Sequence, residues 1–158
     1  MIARLLRTAD FERVLRSRSR LSSQHFAVHH VAEAPRPALA RLKATRKREL
    51  STGFVAEEPG PVDDLPVPAL LEGCWLGAVV PKRHARRSVT RSLLKRQIRS
   101  VAAALASELS PGLWVVRLRA PFDPARFASA ASDELRALAR GELETLLGGA
   151  ARRSRPGP

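Results

Sequence analysis

The chain has 158 residues, 28 Lys+Arg against 15 Asp+Glu, and a formal net charge of +13. That length suits one domain with appended segments, and an apolar content drawn largely from Ala and Leu excludes fully disordered and collagen-like classes. No stretch approaches 18 consecutive apolar residues, which excludes a membrane-spanning helix, and a single cysteine, Cys74, excludes an internal disulfide and makes a reducing cytoplasm the default.

The start, MIARLLRTADFERVLRSR, lacks an apolar h-region and does not read as a secretory signal. Thr8 is a candidate N-cap of a short first helix, in which Phe11, Val14 and Leu15 recur at helical spacing. On spacing alone Phe11 is a core-facing anchor. SRSRLSSQ is polar and reads as a loop or an edge strand. His25 to Val31 alternates, with Phe26 and Val28 facing one way and Ala27 and His29 the other, and predicts a strand. His29 and His30 have no Cys, Asp or Glu nearby at ligand spacing, so the expectation is solvated histidines rather than a metal site.

Residues 32–73 are the compositional break. Six prolines punctuate them, and a basic run at 36–48 meets an acidic run at 49–72, predicting a long mobile insertion inside one domain. Trp75 to Val80 reads as a buried strand that Pro81 ends. The next stretch predicts a helix from about Ser88, as N-cap, to Leu109. Leu94, Ile98, Val101 and Leu105 share its core face, Arg91, Lys95 and Arg99 lie on an adjacent face, and Arg96 is just beyond. Ser110-Pro111-Gly112 stops it. Leu113 to Leu118 predicts another strand. Asp123 as N-cap and Pro124 in the first turn start a last helix, with Phe127, Ala131, Leu135, Leu138, Leu143 and Leu146 as apolar positions. Residues 1–147 form the expected domain, and 148–158 a disordered basic tail. A strand–helix–strand unit between flanking helices implies a small α+β or α/β sandwich.

Charge carries the strongest signal. Lys82, Arg83, Arg86, Arg87, Arg91, Lys95, Arg96 and Arg99 fall within 82–99 with no acid among them. Cations at about i, i+4 and i+8 on a helix are spaced to meet phosphates, and eight like charges with nothing to neutralise them repel one another until a polyanion arrives. A catalytic reading finds little support: there is no Walker loop, no G-x-S-x-G, no H-E-x-x-H and no paired-Cys metal motif.

RLLRTADFERVL, then LSSQHFAVHHV, then LGAVVPKRHARRSVTRSLLKRQIRSV resemble the bacterial ribonuclease P protein subunit, with about 110 residues fitting. The resemblance implies a two-layer α/β sandwich of order α-β-β-β-α-β-α, with a four-stranded sheet and a left-handed βαβ crossover. It implies a cytoplasmic subunit, a monomer within its particle, that binds ribonuclease P RNA and the 5′ leader of precursor tRNA. The Mg²⁺ ions of the hydrolysis would be held mainly by the RNA. By position, Arg91, Lys95, Arg96 and Arg99 match the RNA-binding signature, and Arg86 and Arg87 supply neighbouring charge. Ser92 and Leu93 depart from it, standing where Asn and Arg are usual. Phe11, Leu15, His29, Lys82 and Arg83 match the leader side. No residue of the chain is assigned to catalysis. The alternatives are a non-enzymatic RNA-binding protein, such as a ribosomal or assembly factor, and a protein-only nuclease.

Overall fold

The computed structural model describes residues 2–35, 73–123, 125–127, 129 and 132–155. Most of the predicted insertion, 36–72, lies outside the described residues, as do Pro124 and Ala131. The elements are β1 (Ile2–Arg4), α1 (Thr8–Arg16), β2 (Leu21–Ser22), β3 (Phe26–Val31), β4 (Cys74–Val79), α2 (Ser88–Ala104), β5 (Gly112–Leu118) and α3 (Asp133–Ser154). They form one mixed sheet in the order β1-β4-β5-β3-β2. β1 and β5 both run parallel to β4, and β3 runs antiparallel to β5 and to β2.

The α+β class is as expected, but the sheet has five strands rather than four. The first residues pair Ile2 with Cys74 and Arg4 with Leu76, adding an edge strand. Three residues are too few to show alternation, so periodicity does not reveal this strand.

Strand alternation sorts the core into two sides. On one side Phe26, Val28, Leu76, Trp114, Val116 and Leu118 meet Leu94, Ile98 and Val101 of α2 and Leu135, Leu143 and Leu147 of α3. Burying each of these large side chains is worth about 1.5–3 kcal/mol. On the other side Leu113 and Val115 meet Leu5 and Val14, and α1 covers this face only in part. Because β3 is covered on both faces, His29 and His30 are 6% and 4% exposed, not solvated as their polarity predicts. His29 Nδ1 lies 3.0 Å from the Ser17 carbonyl. His30 Nε2 lies 3.1 Å from the Pro111 carbonyl, and its ring stacks on Trp114 at 4.2 Å. Burial holds both imidazoles below their ordinary pKa, against those backbone hydrogen bonds.

Four boundaries differ from expectation. Thr8 and Ser88 are the first helical residues, while Arg7 and Arg87 occupy the cap positions without side-chain caps. Asp123 does act as a cap, but only of a single turn: its Oδ1 accepts from Ala125 N and its carbonyl from Phe127 N. The long helix starts ten residues later, where Ser132 accepts from Leu135 N. At its other end α3 runs to Ser154 through the predicted tail. Gly and Ala there resemble linker composition, but their small size lets the helix pack: Ala150 and Ala151 are buried. A Cβ on Gly149 would lie 2.8 Å from Leu21.

One polar cluster ties β2 and β3 to α3. Glu142 accepts from His25 N at 2.7 Å and from Ser23 Oγ, and lies 2.8 Å from His25 Nδ1; the His25 ring stacks on Phe122 at 3.9 Å. Burial pushes the Glu142 carboxyl upward, but the hydrogen bonds from Ser23 and His25 outweigh it and hold it below the ordinary value of 4.5. A folded-state value below the unfolded one stabilises fully above the unfolded value, and the gain is lost as pH falls through the folded one. Glu142→Ala should therefore cost about 2 kcal/mol at neutral pH. Glu142→Gln should keep much of that stability but lose the acid dependence below 4.5. Urea unfolding from about pH 7 down to about pH 3 measures both.

Candidate nucleic-acid interface

Two surfaces carry the candidate residues, one on each side of the sheet. The first is the solvent side of α2. Its amphipathic sequence sends Leu94, Ile98 and Val101 into the core and leaves Arg96 and Arg99 exposed, with Lys95 half-buried. Arg86, on the approach to the helix, is also exposed. Among the described residues no ion pair joins Lys82, Arg83, Arg86, Arg91, Lys95, Arg96 or Arg99 to a carboxylate. The cations fan out rather than form one stripe. Arg99 borders a groove with Ile2 and Arg4 of β1, and Arg96 borders another with Ser88 of α2 and Arg136 of α3. Arg4, exposed at the sheet edge, joins this surface only through the unpredicted strand.

Arg91 has a different task. Its Nη1 donates to the carbonyls of Ala85 and Arg86 at 2.9 and 2.7 Å. It therefore braces the loop that carries Arg86 while its charge stays at the surface. Leu93, at the position where the resemblance has a base, is buried in the main core. Its departure from the signature is a gain in packing.

The second surface is a half-buried apolar patch on the α1 side. Phe11, Leu15, Val31, Trp75 and Val79 are half-buried around Leu5, Val14, Leu113 and Val115. The Phe11 ring lies over Gly77, where a Cβ would collide with its Cε1 and sit 2.7 Å from its Cζ. Gly77 is thus the residue that lets the aromatic rest on the sheet. Phe11 is both the anchor that its spacing predicts and a partly open apolar wall. Arg13 fixes α1 in place: its guanidinium pairs with Asp10 at 3.0 Å and Glu33 at 2.8 Å, and donates to the Ala34 carbonyl at 2.9 Å.

His29 faces this side, yet it is buried and does not offer an open ring for stacking. Arg83 does not join Phe11: it lines a cavity on the opposite side of the sheet with Arg86, Arg87 and Phe122. Lys82 is exposed in the turn after β4, where His84 N and Ala85 N donate to the Pro81 carbonyl. Arg117 is a residue that sequence reasoning passed over. In β5 it lies in register with Val79 and Ala27, on the face of Leu113 and Val115, and its Nε is buried with no partner among the described residues. The signal was present, since alternation in LWVVRL puts its one base on that face.

Cys74 is half-buried, and burial pushes its thiol up to about 11, which leaves it a poor nucleophile. Among the described residues, no three His, Cys, Asp or Glu side chains gather to ligate a metal. No helix among them is long and apolar enough to cross a membrane.

A basic α+β protein with a helix bearing exposed cations on one side of its sheet and a half-buried aromatic patch on the other belongs to the class built to meet a polyanion. The family model described as Ribonuclease P matches residues 2–141, and the chain belongs to that family. It is 43% identical over 77 residues to the "Ribonuclease P protein component" of Burkholderia pseudomallei (strain 1106a), a match spanning 49% of this chain and 57% of that protein. It is 36% identical over 119 residues to the protein of the same name from Bordetella parapertussis, spanning 68% of this chain and 89% of that one. The fold is similar to that of the RNase P protein from Staphylococcus aureus, with a TM-score of 0.54 at 17% identity, covering 98% of this chain and 94% of that one.

Proposed function

We propose that the chain is the protein subunit of ribonuclease P, assisting a catalytic RNA in the endonucleolytic removal of the 5′ leader from precursor tRNA. The observation that carries this reading is the set of exposed bases, Arg86, Arg96 and Arg99, that no carboxylate pairs with among the described residues, set across the sheet from the apolar patch around Phe11. On this reading Arg86, Arg96 and Arg99, with Lys95, meet phosphates of ribonuclease P RNA, and a single copy of the chain sits in each particle. This apolar patch receives the single-stranded leader, with bases against Phe11 and Leu15. Arg117 beneath it lowers the cost of bringing phosphates close. The Mg²⁺ ions are assigned to the RNA, and the chain contributes by binding and by neutralising crowded phosphates.

Adding the protein to ribonuclease P RNA at low Mg²⁺ should stimulate removal of the leader. No stimulation overturns the reading, and cleavage by the protein freed of RNA would replace it. Within the assembled particle, Phe11→Ala should lower the affinity for precursor tRNA by about five-fold or more, the loss of one stacking partner. Affinity for ribonuclease P RNA should not change. Gly77→Ala should have the same sign, because its methyl group lifts the Phe11 ring from the sheet.

A further inference from the structure

A cavity of about 690 Å³ lies beside the start of α2, on the opposite side of the sheet from Phe11. Arg83 and Arg86 stand on its lining, and among the described residues no Asp or Glu does. Its apolar part is Phe122, Phe127 and Leu94, the last fully buried. The rings of Phe122 and Phe127 meet edge to face at 5.9 Å, and the Arg126 guanidinium lies 5.3 Å from the Phe127 centroid, so the aromatic wall is held from both sides. The volume falls within the range of small-molecule sites. Two other grooves bordering α2, about 340 and 580 Å³, also carry bases but have no aromatic residue among the described ones that line them.

A flat apolar body bearing negative charge suits this lining. A guanidinium fork grips phosphate oxygens in pairs, and an aromatic wall takes any base, because every base has a π-face. Paired bases in a duplex cannot enter such a cavity, whereas a splayed single base can. Resting on the proposal that the chain binds RNA, we infer that this cavity takes one unstacked ribonucleotide. Its phosphate lies between Arg83 and Arg86, and its base against Phe127, backed by Phe122, which is itself stacked on His25. The sequence could not join these parts, since Arg83 and Phe127 are 44 positions apart and meet only because the chain after β5 folds back over the start of α2.

The test uses the full chain and two RNA arms. Phe127→Leu keeps apolar volume and removes the aromatic face; Phe127→Tyr restores the face. If the nucleotide belongs to the partner RNA, Phe127→Leu should weaken binding of ribonuclease P RNA alone by about five-fold and Phe127→Tyr should recover it. If it belongs to the substrate, the same loss should appear only for precursor tRNA added to the assembled particle. Arg83→Gln, at an exposed position that leaves the core intact, should weaken the same arm and lower its salt dependence. Wild-type affinity for both RNAs in Phe127→Leu and Arg83→Gln, with unchanged melting curves, overturns the inference while the proposed function stands. Failure of the wild-type chain to bind either RNA overturns both.

Discussion

Replacing Arg96 and Arg99 together by Glu should weaken assembly with ribonuclease P RNA by on the order of 100-fold at about 0.1 M salt, and reduce the slope of log affinity against log salt by about 1.8. The size follows from the surroundings. Both side chains are exposed, and no described carboxylate pairs with either. Among the described residues there is thus no ion pair to break before they meet phosphates, and each phosphate left without its cation removes close to one unit of slope. Stability should hold or rise slightly, because two repelling charges leave a crowded helix face. Arg91 is the wrong site for this experiment despite matching the signature. Its guanidinium holds the Ala85 and Arg86 carbonyls, so Arg91→Glu would disturb the turn together with the charge. Titrations of labelled RNA at several salt concentrations give both quantities. An affinity change under ten-fold, or an unchanged slope, removes α2 from the interface.

Gly112→Ala should destabilise the fold by about 3 kcal/mol, lowering the melting temperature by roughly 10 °C. Gly112 opens β5 at φ +130, a backbone conformation that side-chain-bearing residues rarely adopt. A Cβ there would collide with the Val31 carbonyl oxygen and lie 2.9 Å from His30 Nε2. The first of these obstacles is backbone and cannot rotate away. Gly112 N also donates to the Gly73 carbonyl at 2.9 Å, so a shift of this residue would reach the start of β4. Thermal and urea unfolding measure the effect, and a cost below about 1 kcal/mol would show that the strand end yields. RNA affinity of the folded protein should be unaffected, because Gly112 borders none of the grooves that Arg96 and Arg99 line.

The parts of the fold legible in advance were those with a strong local period. Phe26, Val28, Leu94, Ile98 and Val101 lie where alternation and helical spacing put them. The parts that were not legible depend on distant partners. Ile2–Arg4 becomes a strand only because β4 offers it an edge. The segment after Leu147 stays helical because Ala150 and Ala151 have a core to enter. His29 and His30 read as surface residues until helices cover both faces of their strand. The candidate site divides in the same way: the density of bases over 82–99 is plain in the sequence, but the separation of Arg83 from Phe11 is not.

By itself the sequence determined the sign and the concentration of charge, the identity of the main helices and strands, and the family. These follow from composition, short-range periodicity and a motif, all of which are local. The tertiary structure alone decided which bases stay open to a partner, which one braces a loop, and which one meets an aromatic wall. Those outcomes depend on burial and on contacts between residues far apart in the chain, and neither exists until the sheet has formed.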